Sequence, residues 1–266
     1  MAPVSLELDT KQLAEEYERI SGERQFRTGE RLIAELGIRP GESILDVGAG
    51  TGLLAQYVAA LVGRHGRVVG IDPLPLRIEI ANQKNHVALS FKVANANDLS
   101  EFHENEFDAA YMNAVFHWLP DKRIPLQQVY RVLRKGGRLG ISTGARGYAN
   151  PLHRIRERVM TRPPYNHYPQ ASGPVAYRVT AEELREFLLE AGFTIAKLET
   201  MVREQPEGSP EEMIRFSEAS SFGNLLGHLP PELREAARAD IVAEVAKAPW
   251  SGNVRQRILA VAIKAR

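Results

Sequence analysis

Residues 45–52 read Leu45-Asp46-Val47-Gly48-Ala49-Gly50-Thr51-Gly52. A short apolar stretch, Ser43–Val47, precedes the glycines as a strand. The segment Thr51–Val62 follows as a helix, with Leu53, Leu54, Tyr57, Val58, Leu61 and Val62 recurring at a period near 3.6. A glycine turn between a first strand and its helix is where an open α/β sheet binds its ligand, at the carboxyl edge. Gly48 and Gly50 let the backbone turn sharply and approach a ligand that a Cβ would hold off. Gly52 lets the helix start tight against the turn. The dinucleotide fingerprint G-x-G-x-x-G places its third glycine one residue later, where Leu53 stands. Asp46, two residues before the first glycine, suits a cationic group and repels a pyrophosphate. Both features disfavour a nicotinamide oxidoreductase.

Outward from this turn, strand and helix alternate. Residues 10–36 read as two helices, stopped by Gly37 and Pro40-Gly41. Arg67–Ile71 is a strand, and Asp72-Pro73 opens a helix with proline in its first turn. Val87–Ala94 and Phe107–Asn113 are strands, Asp121–Leu133 is a helix closed by Gly136-Gly137, and Arg138–Thr143 is a fifth strand. Thr180 and Glu183 have capping-box spacing for a helix to Glu190, followed by a sixth strand from Phe193. Residues 208–247 read as two helices and Val254–Lys264 as a seventh strand. The pattern predicts one α/β domain over 1–266: a mostly parallel seven-stranded sheet with helices on both faces. Its expected parts are an N-terminal helical lid at 1–40, a ligand-binding core at 41–143, and insertions at 144–179 and 204–253 flanking the sixth strand.

Composition narrows the function. Lys+Arg 34 against Asp+Glu 33 leaves a net charge of +1, so no global field draws the chain to nucleic acid or an anionic membrane. Hydrophobic residues at 44% supply the core of a globular domain. With no cysteine there is no disulfide, no cysteine-ligated zinc and no thiolate nucleophile. Met1–Glu18 is acidic and lacks the apolar segment of a signal peptide. The longest apolar-rich stretch, Leu53–Val62, is too short to span a bilayer. The expected location is the cytoplasm.

The chain resembles the class I S-adenosylmethionine-dependent methyltransferases, which share a Rossmann-like fold, and within them the small-molecule group of ubiquinone/menaquinone C-methyltransferase-like enzymes. LDVGAGTG at 45–52, VVGID at 68–72, FDAAYMNAVFHWLPD at 107–121 and VYRVLRKGGRLGIST at 129–143 carry the resemblance, in order and with family-like spacing. It implies S-adenosylmethionine as cofactor and a small-molecule acceptor methylated at oxygen, nitrogen or carbon. Asp46 with the Gly48, Ala49, Gly50 and Gly52 turn would hold the methionine end. Asp72, followed by Pro73, would accept both ribose hydroxyls, since a carboxylate offers two oxygens to two donors; capping the next helix is the competing role. The adenine segment departs from the usual Asp-Ala: Asn95-Ala96 stands there, with Asp98 as the alternative contact. Asn113 would position the methionine end.

A sulfonium methyl is already electrophilic, so the protein has mainly to align a nucleophile and exclude water. The missing cysteines exclude thiolate mechanisms such as those of the arsenite methyltransferases. His117, just past the fourth strand, has two readings: a general base near its ordinary pKa, or a pocket wall packed on Trp118. Arg162-Pro163-Pro164-Tyr165 imitates a nucleic-acid methyltransferase motif but follows the fifth strand, and reads as a stiff loop. Tyr148, His153, Tyr165, His167, Tyr168 and Tyr177 crowd the same insertion as acceptor-pocket candidates. Arg146, Arg154, Arg156, Arg158 and Arg162 could form an RNA-binding patch, but Leu152, Ile155 and Val159 make an apolar stripe that leaves the arginines on a solvated face. Tyr17 and Gln25-Phe26 are lid candidates, and Phe216, Phe222, Leu225 and Leu226 candidates for the pocket's far wall. No metal is expected. The remaining alternatives are an RNA-modifying enzyme and a non-catalytic cofactor-binding protein.

Overall fold

The computed structural model describes residues 4–146, 151–172, 176–205, 209–247 and 253–265. Its strands are β1 (Ser43–Val47), β2 (Arg67–Asp72), β3 (Leu89–Val93), β4 (Phe107–Asn113), β5 (Leu133–Gly144), β6 (Phe193–Gln205) and β7 (Asn253–Lys264). They form one sheet in the order β3-β2-β1-β4-β5-β7-β6. β7 runs antiparallel between β5 and β6, and the remaining pairings are parallel. The mostly parallel seven-stranded sheet read from the sequence is therefore present. The chain progresses one way from β1 through β2 to β3 and the other way from β4 onward, which opens a crevice at the carboxyl ends of β1 and β4.

Nine described helices accompany the sheet: α1 (Lys11–Glu16), α2 (Gly22–Leu36), α3 (Leu53–Val62), α4 (Pro75–Ala81), α5 (Arg123–Val132), α6 (Pro151–Met160), α7 (Ala181–Glu190), α8 (Pro210–Ser220) and α9 (Pro231–Lys247). Strand periodicity sends alternate residues to opposite faces. Ile44 and Val68 pack under Leu32 and Leu36 of α2 and Val58 of α3, while Leu45 and Val69 pack with Leu126 of α5 and Leu184 of α7. A third apolar cluster joins Leu152, Ile155 and Val159 of α6 to Ile214 of α8 and Ile241 of α9, so the two insertions pack on each other.

Several boundaries differ from the sequence reading for local reasons. The two N-terminal helices run together through a π-helical turn at Tyr17–Ser21. The helix after β2 starts at Pro75 rather than Pro73, because Asp72 Oδ1 accepts from the Leu74 amide at 3.0 Å and holds a turn there. Gly136 and Gly137 lie inside β5, which begins directly after α5, with a register shift opposite Phe107 and Ala109. Thr180 and Glu183 form the expected capping box. Arg156 corrects the solvated-face reading: spaced four and three residues from Leu152 and Val159, it shares their face and is 1% exposed. Its guanidinium donates to the carbonyls of Leu225 and Ala171.

The Phe91 ring occupies the space two missing side chains leave. A Cβ on Gly52 or on Gly70 would come within 2.5 Å of it. Gly52 also has φ +82°, as Gly136 has φ +76°, but nothing lies within 4 Å of a Cβ on Gly136. Gly136→Ala should therefore lose only the left-handed backbone term, about 1–2 kcal/mol. Gly52→Ala should lose a further overpacking term of about 1–3 kcal/mol. Urea unfolding of both variants checks this, and equal losses would contradict the wedge.

Candidate functional site

The turn after β1 is tied to the end of β2. The amides of Gly48 and Ala49 both donate to the Ile71 carbonyl, at 2.7 and 2.9 Å, and the Gly50 amide donates to Asp72 Oδ2 at 2.9 Å. Gly48 has φ +80°, and a Cβ there would lie 2.2 Å from Val115 Cγ2, so the turn is pressed against the segment following β4. Only glycine fits that position.

A cavity of about 400 Å³ opens over this turn. Of the residues singled out in the sequence, Gly48, Gly50, Asp72, Pro73, Asn95, Ala96, Asn113 and His117 line it together. Asp46 and Ala49 line a smaller adjoining pocket, whose walls of Tyr17, Gln25, Gly48 and Asn113 are shared with the large cavity. Gly52 lines neither and acts through its packing on Phe91. Asp98 is also outside: its carboxylate accepts from the Ser100 amide. Asn95 has the cavity position, although its Oδ1 already accepts from the Asn97 amide at 2.9 Å. That leaves the second lone pair and the NH₂ group for a ligand.

The electrostatics at this end favour a cation. Asp46 is 2% exposed and accepts a hydrogen bond from the Tyr111 hydroxyl at 2.7 Å. It pairs with no cationic side chain among the described residues, and burial pushes its pKa up to about 7, with the nearby Asp72 adding to the rise. Asn113 Nδ2 donates to the Gln25 carbonyl at 2.9 Å, while its buried Oδ1 has no hydrogen-bond partner. A buried acceptor without a donor costs about 1–3 kcal/mol, and an ammonium supplies both the donors and the charge. Burial likewise raises Asp72, opposed by the Arg77 guanidinium. Asp72 spends one lone pair of each oxygen on Leu74 and Gly50, and two remain for hydroxyl donors.

Arg77 is a residue the sequence reading missed. It is 4% exposed, donates to the Ala219 carbonyl at 2.8 Å, pairs with Asp9 at 3.4 Å and stacks over Tyr17 at 4.2 Å. It thereby binds the N-terminal segment to α8 across the cavity, and Val4, Leu6 and Tyr17 form part of the lining.

At the far end His117 packs on Trp118 with ring centroids 4.8 Å apart, and its Nδ1 lies 3.0 Å from Thr143 Oγ1. Burial, reinforced by Arg178, Arg257 and Lys122, holds its pKa well below the ordinary histidine value, so the ring is neutral. Among the insertion aromatics, Tyr177 and His153 line the cavity. Tyr165 is buried with its hydroxyl on Asp240, His167 and Tyr168 line no part of it, and Tyr148 is outside the described residues. Phe216 and Phe222 form the far wall, whereas Leu225 and Leu226 are core. Arg146 pairs with Glu183 and Arg162 with Glu244, leaving little of the proposed basic patch. Arg178, Gln256 and Arg257 also line the cavity and were not singled out; no local motif marks them. No helix among the described residues is long and apolar enough to cross a membrane.

Residues 45–141 match the family described as a methyltransferase domain. The chain is 30% identical over 233 residues to the O-methyltransferase cnsE of Penicillium expansum, covering 81% of this chain and 78% of that protein. It is also 30% identical over 206 residues to an arsenite methyltransferase of Halobacterium salinarum. That alignment covers 76% of this chain and 48% of the relative, so the chain spans about half its length. Among solved structures, the cyclase SpnF superposes with a TM-score of 0.60 at 22% identity, over 90% of this chain and 81% of SpnF, a likeness of fold alone. The strand order, the glycine turn and the relative matched over most of both lengths agree, and the chain belongs to the class I S-adenosylmethionine-dependent methyltransferase family.

Proposed function

We propose that the protein transfers a methyl group from S-adenosylmethionine to a small-molecule acceptor by direct in-line displacement. The observation that carries this reading is the buried, unpartnered Asn113 Oδ1 beside Asp46 at the glycine turn, an acceptor pair that fits an amino-acid ammonium. Asp72 receives the ribose hydroxyls, and Pro73, Asn95 and Ala96 flank the adenine. The bound cofactor supplies an electrophilic methyl, so the protein's remaining work is alignment and exclusion of water. The N-terminal segment, held by Arg77, covers the cavity as a lid. His117 is neutral and takes the proton of an acceptor hydroxyl or acidic carbon, its Nδ1 fixed by Thr143 and its Nε2 left to act. The arsenite chemistry of one relative does not carry over, because no cysteine is present to ligate arsenic. Oxygen, nitrogen or carbon is the expected acceptor atom, and the cytoplasm the expected location.

Calorimetric titration should show micromolar binding of S-adenosylhomocysteine and none of NAD; the reverse would overturn the reading. Asp72→Ala should weaken the former by about 10–100-fold, the loss expected for charged hydrogen bonds, with circular dichroism confirming the fold.

A pH dependence follows from Asp46, whose neighbours are Tyr111, Asp72 and Tyr17. Below about pH 7 the unliganded carboxyl holds a proton that an incoming ammonium must displace. Affinity for S-adenosylhomocysteine should thus fall as pH is lowered through 7, by up to about tenfold per pH unit, and level off above it. Asp46→Asn should bind weakly with a flat profile. A flat wild-type profile would remove Asp46 from the ammonium site.

Incubation with methyl-labelled S-adenosylmethionine and fractionated extract should place label in small molecules rather than RNA or protein. With that acceptor, His117→Ala should lower kcat by about 100-fold or more without recovery at high pH. A raised acceptor KM with kcat retained would make His117 a wall.

A further inference from the structure

Phe222 holds a backbone conformation that its residue type does not favour. The helix α8 ends in a C-cap at Ser221, and Phe222 follows with φ +41°, in the left-handed region where a helix end usually places glycine. A bulky side chain is strained there, and strain of this kind concentrates at binding sites. Among the described non-glycine residues with left-handed φ, Asn105 is of a type that tolerates it, whereas Ala114 and Phe222 both line the cavity. The Phe222 ring lies edge to face with Trp118, their centroids 4.7 Å apart, and Trp118 packs on His117 at 4.8 Å. These three rings form one continuous stretch of the cavity wall, and Val115 and Leu119, which flank His117 and Trp118 in the chain, line it as well.

This wall stands on the side of the cavity away from the proposed ribose and adenine contacts. In the order β3-β2-β1-β4-β5, Asp72 ends β2 and Asn95 follows β3, on one side of β1, while Trp118 follows β4 on the other. The Trp118 amide donates to the Val115 carbonyl at 2.7 Å, and His117 is tied to Thr143 of β5. Phe222 reaches the wall from the end of α8, where Arg77 holds the Ala219 carbonyl and sets its guanidinium 5.9 Å from the Phe222 ring. Both rings are therefore fixed before a ligand arrives.

We infer that Trp118 and Phe222 select the methyl acceptor, and that the acceptor presents to them a planar aromatic ring rather than a saturated one. Two rings set edge to face offer a third ring the stacked and edge contacts that aromatic pairs favour beyond the area they bury. A saturated ring gains the burial without that contribution. Rings already held in place lose little freedom on binding, so the preference is not offset by an ordering cost. Naming the bound ring as the methyl acceptor rests on the methyl-transfer reading; the preference for a planar ring does not.

The test uses wild-type protein saturated with S-adenosylhomocysteine, whose own binding is measured first. Failure at that step counts against the cofactor reading alone, and the ring titrations can still be run on the free protein. At about pH 7, 2-naphthol is titrated against decahydro-2-naphthol, which has the same carbon skeleton with saturated rings and is likewise uncharged. The aromatic compound should bind about tenfold or more tightly, the scale of two aromatic pair contacts. Phe222→Leu and Trp118→Leu each keep an apolar side chain and remove a ring. Each should erase about threefold or more of the preference, with S-adenosylhomocysteine affinity within about twofold of wild type. Phe222→Tyr and Trp118→Phe keep a ring if a leucine variant folds poorly, and should retain most of the preference. The proposal is overturned if the saturated alcohol binds as well as the aromatic one, or if the preference survives both leucine substitutions. It is also overturned if those substitutions weaken S-adenosylhomocysteine binding by about tenfold or more, since the rings would then serve the cofactor.

Discussion

Three backbone amides converge on the end of β2: Gly48 and Ala49 on the Ile71 carbonyl, and Gly50 on the Asp72 carboxylate. These bonds hold the turn open at the crevice where strand order reverses, and they also aim Asp72. Gly48 allows Val115 to approach, which brings Asn113 beside the turn; Gly52 allows Phe91 to wedge beneath it. Because Asp72 spends one lone pair per oxygen on the Gly50 and Leu74 amides, its structural role leaves a lone pair on each oxygen for a ligand. The capping role that the sequence offered as the competitor is not taken up, since Leu74 is the N-cap of α4 and Asp72 holds the turn before it instead.

The cavity is polarised along its length. Asp46, Asp72 and the unpartnered Asn113 oxygen make one end receptive to positive charge, while burial, reinforced by Arg178, Arg257 and Lys122, depresses the protonation of His117 at the other. An in-line displacement between a sulfonium and an electron-rich acceptor dissipates charge as it proceeds, and a site that excludes water assists such a reaction. The polarity, rather than the fold, argues for the chemistry. A cyclase shares the fold at a TM-score of 0.60, so the activity has to be read from the side chains.

The insertions illustrate where periodicity helps and where it is read too narrowly. Leu152, Ile155 and Val159 formed a recognisable stripe, and they are buried as expected. Arg156 falls on the same face, and its charge suggested solvent, yet the carbonyls of Leu225 and Ala171 receive it inside the cluster. An arginine's burial depends on what acceptors another segment brings, and no local pattern carries that information. The capping box at Thr180 behaved oppositely: every partner lies within one helical turn, so it was legible in full.

That range of interaction separates what the sequence alone determined from what only the tertiary structure decided. The alternation of strand and helix, the glycine turn, Asp72 ending its strand and Asn113 ending another are contiguous patterns set by local sterics and short periods. They were sufficient for the fold and the family, and they marked most of the residues that meet at the glycine-turn end of the cavity. Nothing near Arg178 or Arg257 in the sequence marks either as lining the cavity. Arg257 and Ser142 are 115 residues apart and meet because β7 inserts antiparallel beside β5 with one particular register. Arg77 likewise acquires its role by reaching Asp9 and Ala219 at once. Charges gathered from distant segments depend on how strands pair and insertions pack, and those are properties of the folded chain as a whole.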